Sequence, residues 1–386
     1  MKAVVFGGAG IEGSWAVHCL SQTDVISEIV VADINKERGE QIQETHEKID
    51  YQYVNVTEKT SIFRVIDDAD VVINCVGPFY KYAPLIMQSV ITKGVNYVDI
   101  CDDYDVTQIL LDEYHRQAKE AGITCIVGLG ASPGLTNIMA KYGSEQLERT
   151  DDISVFVTRG LTEEAGGAIP YHMMHCWLGE VPVFKNGQFT KARGLIDGQE
   201  TVTFPQPFGQ GDVYYFGHPE TVTLPRYIFG LQNACCKGTF FPDQFRELLL
   251  QVESLGLISE QPISIKGYDV APIDFLAAFL PHLGKRVVDS GLKIPEGGAV
   301  MVRVQGEKNG EPKTLFYEGT ANMKQGTATP AAIGAEMLAK GDIEKPGVYA
   351  PEGCVPAKEF LNRIKDREGF GDVFISTKEK LSGSLR

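Results

Sequence analysis

Blocks of apolar positions alternate with amphipathic polar blocks through the first third of the chain. Ala3 to Phe6 is a short, wholly apolar run that reads as a buried strand, and Ile29 to Asp33 is a second. Tyr51 to Val56 alternates with period two, as a third strand would. Ala69 to Gly77, Val95 to Asp99 and Ile123 to Val127 complete six strands. Between them, a turn near Gly13, Lys36–Lys48, Ser61–Asp68, Pro84–Lys93 and Gln108–Ala121 are helix-compatible, and Gly94 and Gly122 stop the last two. Strands and helices in strict alternation imply right-handed crossovers and a parallel sheet, with expected strand order 3-2-1-4-5-6.

After residue 128 the rhythm changes. Gly128 to Gly134 closes strand six and opens a helix, with Ser132 as expected N-cap, Pro133 in the first turn and Gly143 as the stop. Ile153–Val157 is a strand, followed by a polar, Gly/Pro-rich stretch to about residue 225. Phe240–Leu257 and Pro272–Leu283 read as helices, the second apolar enough for a core or a subunit interface. Ala299–Val304 and Thr314–Tyr317 flank Asn309-Gly310, a strong hairpin signal. Helices return at the end, with Thr329-Pro330 expected to cap Ala331–Lys340 and a last helix over Phe360–Arg367. The expected fold is α/β: a doubly wound, Rossmann-like parallel-sheet domain followed by an α+β domain.

The first turn carries chemistry as well as structure. Gly8-Ala9-Gly10-Ile11-Glu12-Gly13 fits G-x-G-x-x-G directly after the first strand. In that pattern Gly8 allows the tight turn, Gly10 lets backbone approach a pyrophosphate, and Gly13 brings the helix close to the strand. The helix start points free N–H groups and a positive dipole end at phosphate. Asp33 ends the second strand twenty positions beyond Gly13, where a carboxylate meets the adenosine ribose hydroxyls. Such an acid repels a 2′-phosphate and favours NAD, with NADP as the alternative because Lys36 and Arg38 stand nearby.

Composition narrows the partners. At 386 residues the chain exceeds one ordinary core, so two domains are expected. A net charge of −15 argues against nucleic acid and anionic membrane. Eight cysteines without a C-x-x-C pair suit a reducing compartment, and no run reaches membrane-spanning length. The expectation is a cytoplasmic protein with a small-molecule substrate. It is also expected to form a homodimer or higher homo-oligomer through the apolar 272–283 helix.

Several segments together resemble the saccharopine dehydrogenase-like family: Gly7–Gly13 with Asp33, Asn74–Phe79, Tyr97–Ile100, Gly130–Asn137, Gly217–Arg226, the Asn309-Gly310 hairpin, Thr329–Glu336 and Gly347–Glu352. In size and segment order the chain looks most similar to the lysine 6-dehydrogenase type. The resemblance covers nearly the whole chain. It implies that the C-terminal helices return to the nucleotide domain, so residues 1–130 and 322–386 form one discontinuous domain and 131–321 an inserted catalytic and oligomerisation domain. The chain departs from the family where glycines are expected after strand five, with Cys101-Asp-Asp-Tyr104 in their place. Tyr171–Trp177 is likewise no family signature.

Candidate site residues follow the strand ends. For the cofactor these are Gly8, Gly10, Ile11, Glu12, Gly13 and Asp33; Asn55 and Val56 near the adenine; Cys75, Val76, Gly77 and Pro78 near the nicotinamide; and Ser132 and Pro133 at a helix start. Asn55 and Val56 read equally well as ordinary loop, and Ser132 as a structural cap. Asp99, Asp102 and Asp103 end strand five. Closely spaced acids hold an amine, and mutual repulsion raises one pKa towards base work, although a solvated loop is an equal reading. His172 and His175 are further acid–base candidates and Arg226 a carboxylate clamp, each weighed against a structural histidine or ion pair. Arg159 and Arg303 are weaker clamps. No metal site is expected. The leading reading is an NAD(P)-dependent oxidoreductase that deaminates an amino acid or diamine oxidatively through an imine. The alternatives are reductive C–N bond formation, of the saccharopine- or carboxynorspermidine-forming kind, and a nucleotide-binding regulator without chemistry.

Overall fold

The structure is a computed structural model that describes residues 1–161, 166–289, 291 and 293–367. The first domain runs β1 (Lys2–Phe6), α1 (Ile11–Ser21), β2 (Glu28–Asp33), α2 (Lys36–Gln43), β3 (Ile49–Tyr53), α3 (Lys59–Val65), β4 (Val71–Asn74) and α4 (Phe79–Lys93). It continues through β5 (Asn96–Asp99), α5 (Tyr104–Glu113), α6 (His115–Glu120) and β6 (Thr124–Ile126), after which α7 (Leu135–Ser144) leads on to the second sheet. The strands form one parallel sheet in the order 3-2-1-4-5-6, registered by Val4 against Val30 and Val72 and by Val98 against Ile73 and Ile126. These positions are buried because helices cover both faces, which is why the strands read as unbroken apolar runs.

The second unit is built on a mixed sheet. Its elements are β7 (Arg149–Gly160), α8 (Ile169–Cys176), β8 (Glu180–Lys185), β9 (Gln188–Arg193), β10 (Glu200–Phe204), β11 (Gly209–Tyr215), α9 (Pro219–Tyr227) and β12 (Asn233–Phe241). Then follow α10 (Gln244–Ser254), the small hairpin β13 (Ile263–Ile265) and β14 (Tyr268–Val270), α11 (Pro272–Asp289), β15 (Gly298–Lys308) and β16 (Glu311–Ala321). The strand order is β10-β11-β12-β7-β15-β16, with β8 pairing β12 and β9. Asn309 and Gly310 take φ of 55° and 76° between β15 and β16, as a two-residue hairpin loop requires.

The chain then returns through α12 (Met323–Lys340), β17 (Gly347–Tyr349), α13 (Pro351–Cys354) and α14 (Ala357–Lys365). β17 adds a seventh parallel strand beside β6, with Val348 opposite Cys125. A three-residue strand carries no readable period, so six strands are visible in the sequence and this one is not. Residues 368–386 of the expected discontinuous domain lie outside the described residues.

Local boundaries differ from expectation where a proline suggests a helix start. α12 is capped by Asn322, whose side chain accepts the Gln325 N–H at 3.0 Å, and Pro330 lies inside the helix. Thr329 is therefore no cap; its hydroxyl accepts the Trp15 indole N–H at 3.1 Å and ties α12 to α1. Pro84 similarly lies inside α4. Ser132 does not cap α7, because Gly134 occupies the cap position at φ 122° and a Cβ there would lie 2.1 Å from the Gly130 oxygen. Among the described residues no helix is long and apolar enough to cross a membrane.

Candidate active site

One cavity of about 570 Å³ runs from the carboxyl ends of the parallel strands to the second sheet. Its two ends are built differently. At one end, β1 leads into a turn at Gly7 (φ 70°), whose N–H donates to the Ala32 carbonyl at 2.9 Å. The left-handed residue is Gly7; Gly8 is required instead by crowding, since a Cβ there would meet the Val5 oxygen at 2.8 Å. A Cβ on Gly13 would lie 2.1 Å from the Gly7 oxygen, so only glycine lets α1 start this close to β1. Gly10, Ile11 and Glu12 line the cavity, and the first N–H groups of α1 have no intrahelical acceptor.

Asp33 borders the same end. Its carboxylate accepts the Ala9 N–H at 3.0 Å and the Asn35 N–H at 2.9 Å, which fix its orientation. Asn55 and Val56 line the wall beside it, and Cys75, Val76 and Gly77 carry the lining onward from the end of β4. A Cβ on Gly77 would fall 2.6 Å from the Ala168 methyl, so glycine is what lets the segment entering α8 approach the strand end. The shape is an extended slot over a glycine turn and the helix start that follows it, closed at its far edge by an oriented carboxylate. That suits a dinucleotide. The Cys75 thiol is pushed above its ordinary range by burial, with the Glu12 and Asp99 charges adding to the effect, so it is no nucleophile here.

The other end is made of side chains from distant elements. His172 on α8 places Nδ1 3.1 Å from Asp103 and 3.3 Å from Asp102. Asp103 is buried, and its second oxygen accepts the Tyr80 N–H at 3.1 Å. Burial opposes a charge on His172, yet the Asp102 and Asp103 charges win and raise its pKa. For Asp102, burial and the Asp103 charge together outweigh His172 and raise it; for Asp103, burial is outweighed by the His172 hydrogen bond and it falls. Asp102 and His172 line the cavity together with Glu12, Arg159 and His218. Burial also raises Glu12, and one of its oxygens is enclosed without a hydrogen-bond partner among the described residues. Trp177, Phe216 and Phe240 form an apolar wall, with Trp177 and Phe216 stacked at 4.0 Å.

Several expected site residues lie elsewhere. Asp99 is fully buried: its carboxylate accepts the Gly128 and Cys101 N–H groups at 2.7 and 3.0 Å and the Tyr97 hydroxyl at 2.8 Å. It ties strand ends together and does not face the cavity. His175 bonds Asp105 at 3.0 Å and stacks on Tyr80, one helical turn away from the lining. Arg226 sits in the last turn of α9, where its guanidinium bonds the exposed Asp112 at 2.8 Å, so it clamps no ligand in the cavity. Arg303 is bound to Glu200 on the second sheet. Pro78 and Pro133 lie just behind the lining, each following a cis peptide bond.

Two residues escaped notice in the sequence. His218 precedes α9 with its ring 5.7 Å from that of His172, and Nδ1 lies 2.6 Å from Glu220. Glu220 is fully buried; its other oxygen accepts the Ser132 and Thr136 hydroxyls, each at 2.6 Å. The usable signal was His-Pro-Glu at a proline-led helix start. Asp103, His172 and Cys176, and likewise His218, Glu220 and Cys236, gather three possible ligand atoms within 4.8 Å. In both groups the imidazole Nδ1 is already bonded to a carboxylate, so both read as hydrogen-bonded clusters.

Comparison with known proteins extends these observations. The saccharopine dehydrogenase NADP binding domain model matches residues 4–126, and the saccharopine dehydrogenase C-terminal domain model matches residues 130–370. A carboxynorspermidine synthase of Vibrio cholerae is 24% identical over 92% of this chain and 93% of its own length. A carboxyaminopropylagmatine dehydrogenase of Synechocystis is 22% identical over 94% of this chain and 95% of its own. An apo saccharopine dehydrogenase (L-Glu forming) from Saccharomyces cerevisiae superposes with a TM-score of 0.68 at 16% identity, covering 98% of this chain and 99% of that one, and shares the fold.

Proposed function

The chain belongs to the saccharopine dehydrogenase family of NAD(P)-dependent oxidoreductases, and from that premise we propose that it joins an amine to a carbonyl compound reductively, making a secondary amine. This reading moves ahead of oxidative deamination of a single amino acid because both named relatives that span the chain carry names of the carboxy-polyamine kind. The observation that carries it is the histidine end of the cavity. Acids able to hold a cationic amine (Asp102 and Glu12) stand beside an arginine able to hold a carboxylate (Arg159) and an imidazole seated on two carboxylates.

A nicotinamide held in this cavity would supply or accept the hydride. His172 takes the proton that the amine nitrogen must lose before it attacks, and Asp102 and Asp103 stabilise the imidazolium that results. Trp177, Phe216 and Phe240 exclude water from the reacting carbon. At the glycine end, Gly10, Ile11 and Glu12 meet the pyrophosphate with backbone and Asp33 meets the ribose. We take the preferred form to be NAD for that reason. The nucleotide domain is read as residues 1–130 with the returning 322–386, the remainder forming the substrate domain. A homodimer through α11 is part of the same reading, and sedimentation velocity tests it.

The experiment is to follow reduced-cofactor oxidation with diamines and carbonyl-bearing amino acids, singly and in pairs. Oxidation only when both partners are present supports the reading. Reduction of cofactor by a single amino acid restores oxidative deamination, and no redox change with any amine ends both.

A further inference from the structure

The mechanism above leaves a buried carboxylate unused. Glu220 has no exposure, yet both its oxygens are engaged: one by Ser132 and Thr136, the other by His218 at 2.6 Å and the Cys236 thiol at 3.7 Å. Burial alone would raise its pKa. The His218 charge and the three strong hydrogen bonds reverse that and hold it down at about 2. Burying an anion is costly, and a helix start needs no such group, so the arrangement calls for a reason beyond stability. What it does is commit Nδ1 of His218, which fixes the tautomer and leaves Nε2 for the cavity that His218 lines. His172 and His218 thus meet the same space from different elements, their ring planes 74° apart.

Resting on the reductive C–N reading, we propose that His218, positioned by Glu220, is a second catalytic histidine that handles the substrate oxygen while His172 handles the nitrogen. Joining an amine to a carbonyl passes through a carbinolamine, which carries nitrogen and oxygen on one carbon. The ammonium nitrogen first gives one proton to His172, and as the free amine adds to the carbonyl a second passes from nitrogen to oxygen, giving the neutral carbinolamine. Water loss then needs one further proton on oxygen. The His218 imidazolium gives it; the C–O bond breaks with its electron pair leaving on water, and the nitrogen lone pair forms C=N, giving an iminium and a neutral imidazole. Hydride from the reduced cofactor then completes the secondary amine. In the cleavage direction neutral His218 takes a proton from the water that attacks the iminium. Ser132 and Thr136 are positioning residues, acting through Glu220.

The test separates hydride transfer from hydrolysis. Wild-type protein, His218→Gln and Glu220→Gln are each mixed rapidly with oxidised cofactor and either saccharopine or carboxynorspermidine as probe. Hydride leaves the amine before water attacks. His218→Gln should therefore give a burst of about one reduced cofactor per site at a rate within about threefold of wild type, followed by steady turnover slowed by about 100-fold or more. Glu220→Gln should show the same split with a smaller loss, and His172→Gln should lose the burst itself. Equal slowing of burst and steady state in both His218→Gln and Glu220→Gln, or no slowing in either, overturns the assignment and leaves the reaction class intact. Wild-type protein that reduces no cofactor with either probe overturns the reaction class, and the proposal with it.

Discussion

The two ends of the cavity are built on opposite principles. The glycine end is local: the turn that follows β1, the start of α1 and the end of β2 assemble from residues 7–13 and Asp33, and the ligand surface is mostly backbone. The histidine end gathers Asp102 and Asp103 before α5, His172 on α8 and the His218–Glu220 pair at α9, more than a hundred residues apart, and its surface is side chains. A ligand common to many enzymes is met by geometry that any chain with glycine at the right positions can form. The part that differs among substrates is met by groups that only the tertiary fold brings together.

Substitutions should expose that contrast. The largest effect is expected from Gly13→Val, which forces side-chain atoms into the Gly7 carbonyl. It should cost on the order of 3 kcal/mol and abolish cofactor binding; a calorimetric titration matching wild type would contradict the close-packing account. At the other end, His172→Gln should lower turnover by roughly 10²- to 10⁴-fold with the cofactor Kd unchanged. In wild type the rate of secondary-amine cleavage should fall with acidification through a pKa above the usual imidazole range, since Asp102 and Asp103 outweigh burial in holding the proton on His172. A flat profile would remove it as the base.

Behind the histidine end lies Glu352, fully buried on α13 and accepting the Asn137 amide N–H at 2.9 Å. Burial pushes it up to about 7 against its hydrogen bonds. Because the folded state holds this proton more tightly than the unfolded chain does, its stabilisation is complete below about pH 4 and is lost as pH rises through about 7. Glu352→Gln should flatten stability over that window by on the order of 3 kcal/mol in denaturant titrations; an unchanged slope would mean the proton is not bound there.

Smaller still, Asp33→Ser should weaken NAD binding about tenfold, about 1.4 kcal/mol, and narrow the preference over NADP. An unchanged ratio of affinities would show that Asp33 serves only the Ala9 and Asn35 N–H groups. Arg226→Ala should be nearly silent, within about 0.5 kcal/mol in stability and without effect on KM, as an exposed ion pair predicts. A large rise in KM would return Arg226 to the site.

The same contrast explains what could be read in advance. The six strands, their order, the glycine turn with Asp33 and the Asn309-Gly310 hairpin all depend on residues close in sequence, and all were legible. The seventh strand was not, because Gly347–Tyr349 is too short to show a period. Asp99 and Arg226 were misplaced for one reason: sequence shows that a charged residue ends an element but not which way it faces. Asp99 turns inward to three hydrogen-bond donors, and Arg226 turns out to Asp112. Ser132 was expected at a helix cap, and its hydroxyl instead serves Glu220, eighty-eight positions along the chain.

On the reductive reading, this cavity makes a bond between carbon and nitrogen. Reduced cofactor carrying deuterium at the transferable position, incubated with an amine and a carbonyl partner and analysed by mass spectrometry, tests it directly. The expected product has the combined mass of both partners less water, plus one deuterium and one hydrogen, with the deuterium on the carbon bonded to the new nitrogen. Deuterium found in an alcohol derived from the carbonyl partner alone, or no labelled product from any pair, would contradict it.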